Sequence, residues 1–323
     1  MEEEHDEGVS NATRLFAVVY YMTCAILLTI LNKILFAVFG FADPLLLAFA
    51  QLVSTGIILF VTHALDLISL PAIRAQHVRA VFPLSLLYMG MLASGLAALR
   101  LTDLVMYNSL RRTGVVLVLV CQYFVLGTVP SRQVFVAVGL IAGGTLVAAA
   151  NDLSFNMGGY MWALLCNMST ALYIVLIKWV KERTSLSAYG ILFYNTFLCL
   201  PFCAVALAVM GYQETFWERP LTFWMSFSAS SVMGFFINHS IFYNTAMNSP
   251  LTQSVAGQMK GFILLVCSFG FDYKFDPLNF VGVLSSFAGS MVYAHGRVTE
   301  VRRKEVDPSD DGSDRTGSKG QSE

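Results

Sequence analysis

The sequence predicts an all-α membrane protein of ten transmembrane helices in two inverted five-helix repeats. Three observations predict it. Only 13% of the 323 residues are charged and 56% are hydrophobic, against about 25% charged in soluble globular chains. The apolar residues gather into ten runs near the ~20 residues that a membrane helix needs, parted by short seams of Gly, Pro, Asn and charge. The fourth and ninth runs, five apart, also share one design. Each has a polar, small-residue half, then a basic residue, then an aliphatic half. Matched interruptions in the two halves of a chain mark an inverted-repeat architecture, with its site near the membrane midplane.

The elements follow in order. The opening segment MEEEHDEGVSNATR is acidic and polar. It lacks the basic region and cleavage site of a signal peptide. The first run spans 15–37. Gly40 to Pro44 turns the chain into the second, 44–64, and Pro71 to His77 into the third, 80–99. Arg100 to Asp103 leads to the fourth, 103–123, and Pro130 to Arg132 to the fifth, 133–150. Asn151 to Gly158 precedes the sixth, 158–178, and Lys181 to Ser185 the seventh, 188–211. Gln213 to Pro220 precedes the eighth, 222–246; Asn248 and Pro250 open the ninth, 250–270; Asp272 to Pro277 opens the tenth, 277–296. Turn formers and breakers place each seam. Beyond Arg297 the chain is charged and rich in Ser, Gly and Asp, too polar to bury an ordering core. The expected organisation is a tail 1–14, a first repeat 15–150, a second repeat 151–297 and a disordered tail 298–323.

Ten spans put both termini on one side. The loops and flanks of that side hold Arg14, Arg74, Arg79, Arg132, Lys178, Lys181, Arg183, Arg297, Arg302, Arg303 and Lys304. The other side holds Arg100, Arg219 and Lys274. The positive-inside rule then places both termini in the cytosol. The sequon Asn11-Ala12-Thr13 would face the cytosol, and those at Asn167 and Asn238 fall inside spans. The six cysteines lie in apolar stretches without metal-ligand spacing. Net charge is near zero, so no nucleic-acid partner is suggested. No GxSxG, HExxH, Walker A or paired carboxylate appears, so neither an enzyme nor a cofactor is expected. Oligomeric state is left open, a homodimer included.

Every charge well inside a span is basic: Lys33, Arg111, Arg112 and Lys260. Asp103, the nearest carboxylate, sits at a span edge. A charge near mid-bilayer costs roughly 2.5–3.5 kcal/mol on the insertion scale. Cations held there without carboxylates suit an anionic ligand, most simply one carrying phosphate. The same lack of carboxylates argues against sodium or proton coupling, which places its ion on Asp or Glu.

Lys260 lies about ten residues from either span edge, ~15 Å at 1.5 Å per residue, too far for its stem to snorkel out. Gln253 and Gly257 share its helix face, and Gly257, beside Ala256, lets a ligand approach. Arg111 and Arg112 are adjacent, so they point about 100° apart. Arg111 is favoured for the cavity because Tyr107 shares its face; capping of helix carbonyls is the structural alternative. Arg111 would grip phosphate oxygens as a fork. Lys33 lies near a span end, where it either snorkels or lines the cavity with Asn32. Tyr194 and Asn195 offer a stacking ring and an amide able to read a base or sugar hydroxyl, and Thr252 and Gln253 extend that set. Asn238 lies mid-span in the eighth run. His239 beside it fits an interhelical hydrogen bond better than a proton relay.

The residues that follow carry a family resemblance. They are the basic pair in Tyr107-Asn108-Ser109-Leu110-Arg111-Arg112, the link Asn151-Asp152-Leu153 with Gly158-Gly159-Tyr160, the triplet Phe193-Tyr194-Asn195, and Asn248-Ser249-Pro250-Leu251-Thr252-Gln253 with Gly257-Gln258-Met259-Lys260. In these the chain resembles, from Thr13 to His295, the nucleotide-sugar transporters of the drug/metabolite transporter superfamily (solute carrier family 35). It is most similar to the branch D group, whose members carry UDP-sugars, and to related plant carriers. The resemblance implies a ten-helix fold and exchange of a cytosolic nucleotide-sugar for a luminal nucleoside monophosphate, in the Golgi or endoplasmic reticulum. It also implies basic residues gripping the diphosphate. GDP-mannose transporters carry FYNN and GALNK where this chain has FYNT and Ala256-Gly257-Gln258-Met259-Lys260. The altered guanine-reading positions favour a UDP-sugar. A GDP-sugar carrier, a phosphate-ester translocator, a metabolite exporter of the superfamily and a membrane adaptor acting through its tail are the competing expectations.

Overall fold

The computed structural model describes residues 10–41, 43–101, 107, 110–127, 130–149, 156–210 and 219–268, and 277–306. The described residues are helical, with no strand among them. In chain order the helices are α1 (Asn11–Lys33), α2 (Pro44–Ala64), α3 (Ala75–Leu101), α4 (Gly114–Leu126), α5 (Arg132–Ala149), α6 (Met157–Arg183), α7 (Ala188–Met210), α8 (Leu221–Met247), α9 (Pro250–Ser268) and α10 (Pro277–Val306). Among the described residues, five segments are long and apolar enough to cross a bilayer: Asn11–Phe36, Pro44–Ala64, Ala75–Ala98, Met157–Arg183 and Ala188–Met210.

Local chemistry sets the ends. Ser10 caps α1 by accepting from the Ala12 N–H at 3.3 Å, which satisfies one of the donors a helix start leaves bare. One π-helical turn, Ile34–Val38, extends α1 to the Gly40 bend. Pro44 opens α2, where a missing N–H costs nothing. Asn156 caps α6 through the Gly159 N–H at 3.2 Å. Gly127 closes α4 in the left-handed region at φ 72°, which glycine enters without strain.

Four segments differ from the sequence-based expectation: α3 starts early, at Ala75 instead of 80, and three others depart as follows. The fourth span is not one helix: residues 110–112 are helical, Thr113 is a turn, and α4 starts at Gly114. The other two run long. α6 continues to Arg183, and α10 continues past Arg297 to Val306, where disorder was expected. The added segment VTEVRRKEV is rich in good helix formers, and Glu300 and Lys304 stand four apart. Residues 1–9, the 102–106 seam with Asp103, the 151–155 link with Asn151, Asp152 and Leu153, the 211–218 and 269–276 seams and the tail from 307 lie outside the described residues.

The packing partners repeat when helices five apart are exchanged. α1 packs on α8 and α3 on α6; α2 packs on α8 and α3 on α7; α4 packs on α6 and α1 on α9. The pairs α2–α7, α4–α9 and α5–α10 map onto themselves. The α5–α10 contact is the most extensive, and its closeness needs glycine. A Cβ on Gly289 would lie 2.7 Å from the Ala137 carbonyl oxygen, and one on Gly144 would lie 2.6 Å from Ser285 Cβ. Small residues that let backbones meet are the usual device for joining helices in lipid.

The bundle has two distinguishable ends. At one, Asn248 Nδ2 donates to the Arg14 carbonyl at 3.2 Å and Lys178 Nζ donates to the Asn248 carbonyl at 3.4 Å. The start of α1, the end of α6 and the α8–α9 turn therefore meet. At the other, Arg219 Nη1 donates to the Phe39 carbonyl at 2.6 Å, and Phe39, Phe41, Phe223 and Phe227 pack together.

Candidate substrate-binding site

The broken fourth span builds the site. A break strands backbone carbonyls, and in a membrane each needs a partner. The Leu110 carbonyl accepts from Thr113 Oγ1 at 2.7 Å and from Asn167 Nδ2 of α6 at 2.8 Å. Asn167 also donates to Thr113 Oγ1 at 3.0 Å. The sequon asparagine thus serves as a buried splint. One residue past Leu110, Arg111 projects toward α6, where its Nη1 donates to Tyr107 Oη and to Cys166 Sγ, both at 3.1 Å. The Cys166 thiol donates onward to the Met91 carbonyl of α3 at 3.4 Å. The α3 backbone comes close here, since a Cβ on Gly95 would lie 3.1 Å from Tyr107 Oη.

From the opposite half, α9 brings Lys260. It is half-buried and within electrostatic reach of Arg111. Tyr21 of α1 stands between the halves. Its hydroxyl would lie 3.5 Å from a Cβ on Gly257, it packs with Ala256, and it senses the Arg111 charge. Two cations thus lie within electrostatic reach of each other beside Tyr21, and no carboxylate pairs with either among the described residues. Like charges in a poorly polarisable medium repel strongly, and an anion seated between them removes that cost. Phosphate fits, with Arg111 as a fork and Lys260 as a movable point charge.

The other expected residues are placed as follows. Arg112 is half-buried beside Arg111. Lys33 is half-buried in the last turn of α1. Asn32 before it accepts from Ser230 Oγ at 2.6 Å, and Ser230 accepts from Gln51 at 3.2 Å. Asn238 Nδ2 donates back to the Gly234 carbonyl of its own helix at 2.8 Å. Asn195 Oδ1 accepts from Ser85 Oγ of α3 at 3.0 Å. Tyr194 Oη donates to the Ala72 carbonyl at 2.8 Å and accepts from the Arg74 N–H at 3.1 Å. Gln253 accepts from Asn244, and Thr252 Oγ1 lies 2.9 Å from Tyr293 Oη. The structure therefore brings Arg111, Lys260, Ala256 and Gly257 together. It gives Tyr194, Thr252 and Gln253 hydrogen-bond partners at helix ends instead of in the basic space. His239 makes the expected interhelical contact, with Nδ1 3.3 Å from Tyr20 Oη.

Sequence reasoning missed Tyr21, Cys166 and Asn167. Tyr21 carried no signal, being one of several aromatics in an apolar run. Asn167 did carry one: an amide in mid-span needs a partner. Two cavities lie elsewhere. One of about 190 Å³ sits among apolar residues of α2, α3 and α7 such as Leu45, Met89 and Leu96. The other, about 500 Å³, lies at the side of α8. Neither is lined by Arg111 or Lys260, and the paired cations are the better mark of the binding chemistry.

Comparison with known proteins places the chain in a family. The UDP-sugar transporter sqv-7 of Caenorhabditis elegans is 32% identical over 88% of this chain and 88% of its own length. The nucleotide sugar transporter SLC35D2 of Mus musculus is 32% identical over 88% of this chain and 89% of its own. The UDP-N-acetylglucosamine transporter UGNT1 of Arabidopsis thaliana is 30% identical over 88% of both. A solved crystal structure superposes with a TM-score of 0.64 at 15% identity, covering 85% of this chain and 97% of its own, which shows a shared fold. A profile of the Triose-phosphate Transporter family matches residues 11–294. The chain belongs to the Triose-phosphate Transporter family of the drug/metabolite transporter superfamily, whose members are membrane transporters and not enzymes.

Proposed function

We propose that the protein exchanges a cytosolic UDP-sugar for a luminal nucleoside monophosphate by alternating access. The observation that carries this reading is the pair Arg111 and Lys260, within electrostatic reach of each other, with no carboxylate paired to either among the described residues. The family is named for a sugar phosphate and the three relatives for nucleotide-sugars or UDP-sugars. All of these ligands carry phosphate, which is what the pair suits. The exchange of packing partners between helices five apart supports ten spans in two inverted halves, 15–150 and 151–297. The joining of Arg14, Lys178 and the α8–α9 turn at one end supports both termini on the basic, cytosolic side. The Golgi or endoplasmic reticulum follows from the substrate, because such exchange feeds luminal sugar transfer. Arg112 remains the alternative to Arg111 on the diphosphate, Lys33 either snorkels or lines the cavity, Asn195 and Asn238 remain candidates to contact base or sugar, and Tyr194, Thr252 and Gln253, first read as part of that set, hold helix ends.

Exchange has a physical reason. An empty cavity closes on two cations, and a loaded one closes on a neutralised set. The carrier then reorients readily only with an anion aboard. Purified protein in liposomes preloaded with UMP is expected to take up UDP-sugar at least tenfold faster than empty liposomes. Equal rates would remove the exchange mechanism. Replacing UMP by GMP inside the same liposomes separates this reading from a GDP-sugar carrier, which would prefer GMP.

A further inference from the structure

The 500 Å³ cavity is a groove, and its walls are chemically sorted. Tyr20 of α1, Tyr189 of α7, and Phe235, His239 and Tyr243 of α8 form its inner wall. The Tyr189 and His239 rings stack at 4.2 Å between centroids, and Tyr243 continues the stack 5.9 Å from His239. Phe16 at the outer lip is 61% exposed, so the groove opens sideways out of the bundle. Lys181 closes the end at the α6–α7 turn. One of its three N–H donors reaches the Leu186 carbonyl at 3.3 Å, which leaves two for another acceptor. Lys178 and Arg183 stand on the same turn, with Glu182 the acidic residue among them.

Length identifies what fits. From Phe235 to Met247 the groove follows α8 over twelve residue steps, about 18 Å at 1.5 Å per residue. That is close to one leaflet of a hydrocarbon core about 30 Å thick. An apolar, laterally open slot one leaflet long, ending at a lysine, matches a phospholipid. The cations of the turn favour an anionic headgroup. We propose that the groove seats one anionic phospholipid, with its phosphate on Lys181 and an acyl chain against the stacked rings. The seat is separate from the Arg111–Lys260 space, and it stands whether or not the chain carries nucleotide-sugars.

The test is native mass spectrometry of protein released from bilayers of equal phosphatidylserine and phosphatidylcholine. Wild type is expected to retain one phosphatidylserine. Lys181→Gln and Lys181→Glu should lose that preference by tenfold or more, and Ala246→Trp, which fills the groove, should retain no lipid. Variants are scored when their melting temperature in neutral detergent matches wild type, and Lys181→Gln is the mildest change. Retention without headgroup preference, retention unchanged in the variants, or displacement of the lipid by UMP would each overturn the proposal. Displacement by UMP would assign the groove to the nucleotide instead.

Discussion

Arg111 and Tyr194 show how one residue's partners decide its role. Arg111 is held by Tyr107 and Cys166, which both accept from its Nη1. The sequence favoured it over Arg112 because Tyr107 lies four residues away on the same helical face, and that Tyr107 contact is present in the structure. Tyr194 was read as a base-stacking ring. In the structure its hydroxyl joins the 72–74 backbone to α7 from a fully buried position. A single sequence does not reveal this, since the partner strand of chain lies 120 residues away. Tyr194→Phe is expected to lower stability by about 1 kcal/mol, the net worth of a typical hydrogen bond, while UMP affinity stays within twofold. Thermal unfolding and nucleotide titration of the same preparation check this. A large affinity loss with unchanged stability would return Tyr194 to the binding surface.

At the scale of elements, nine of the ten apolar runs read from composition correspond to helices within a few residues except where α3, α6 and α10 run on. The run at 103–123 is the exception, and hydrophobic pattern could not show why. Its break at Thr113 is stabilised by Asn167, from a different helix. Asn167→Leu should remove the α6 tie to the Leu110 carbonyl and to Thr113 Oγ1, leaving that carbonyl with Thr113 alone, and cost about 1–3 kcal/mol. It should also loosen Arg111, so UMP affinity should fall together with the unfolding temperature. The α5–α10 seam makes a contrasting prediction. Gly289→Val would drive a side chain into the Ala137 backbone, and overpacking of this kind costs about 1–3 kcal/mol. Here the unfolding temperature should drop with nucleotide affinity retained in the folded fraction, because the seam lies outside the basic space. Wild-type stability in this variant would mean that the two helices can part without cost.

For the whole molecule, the sequence repeat was faint, and part of the helix packing is consistent with it. Only the basic residues of spans four and nine, Arg111 and Lys260, betrayed the relation in sequence. In the fold, α1–α8 exchanges with α3–α6, α2–α8 with α3–α7 and α4–α6 with α1–α9, whereas α6–α8 and α7–α8 have no comparably extensive counterpart five apart among the described residues. Side chains that face lipid are interchangeable, so sequence similarity between halves decays. Backbone packing has to fit and therefore persists. On the reading proposed above, Arg111 and Lys260 lie one in each half within electrostatic reach of each other, and a bound anion would join the halves.

The most direct measurement compares the affinities of uridine and UMP for wild type and for Lys260→Ala. The phosphate should strengthen wild-type binding at least tenfold, as charge-assisted hydrogen bonds worth about 1.5–3 kcal/mol require. In Lys260→Ala that advantage should largely vanish, while uridine affinity is unchanged. An equal advantage of UMP over uridine in both proteins would contradict phosphate recognition by the basic pair.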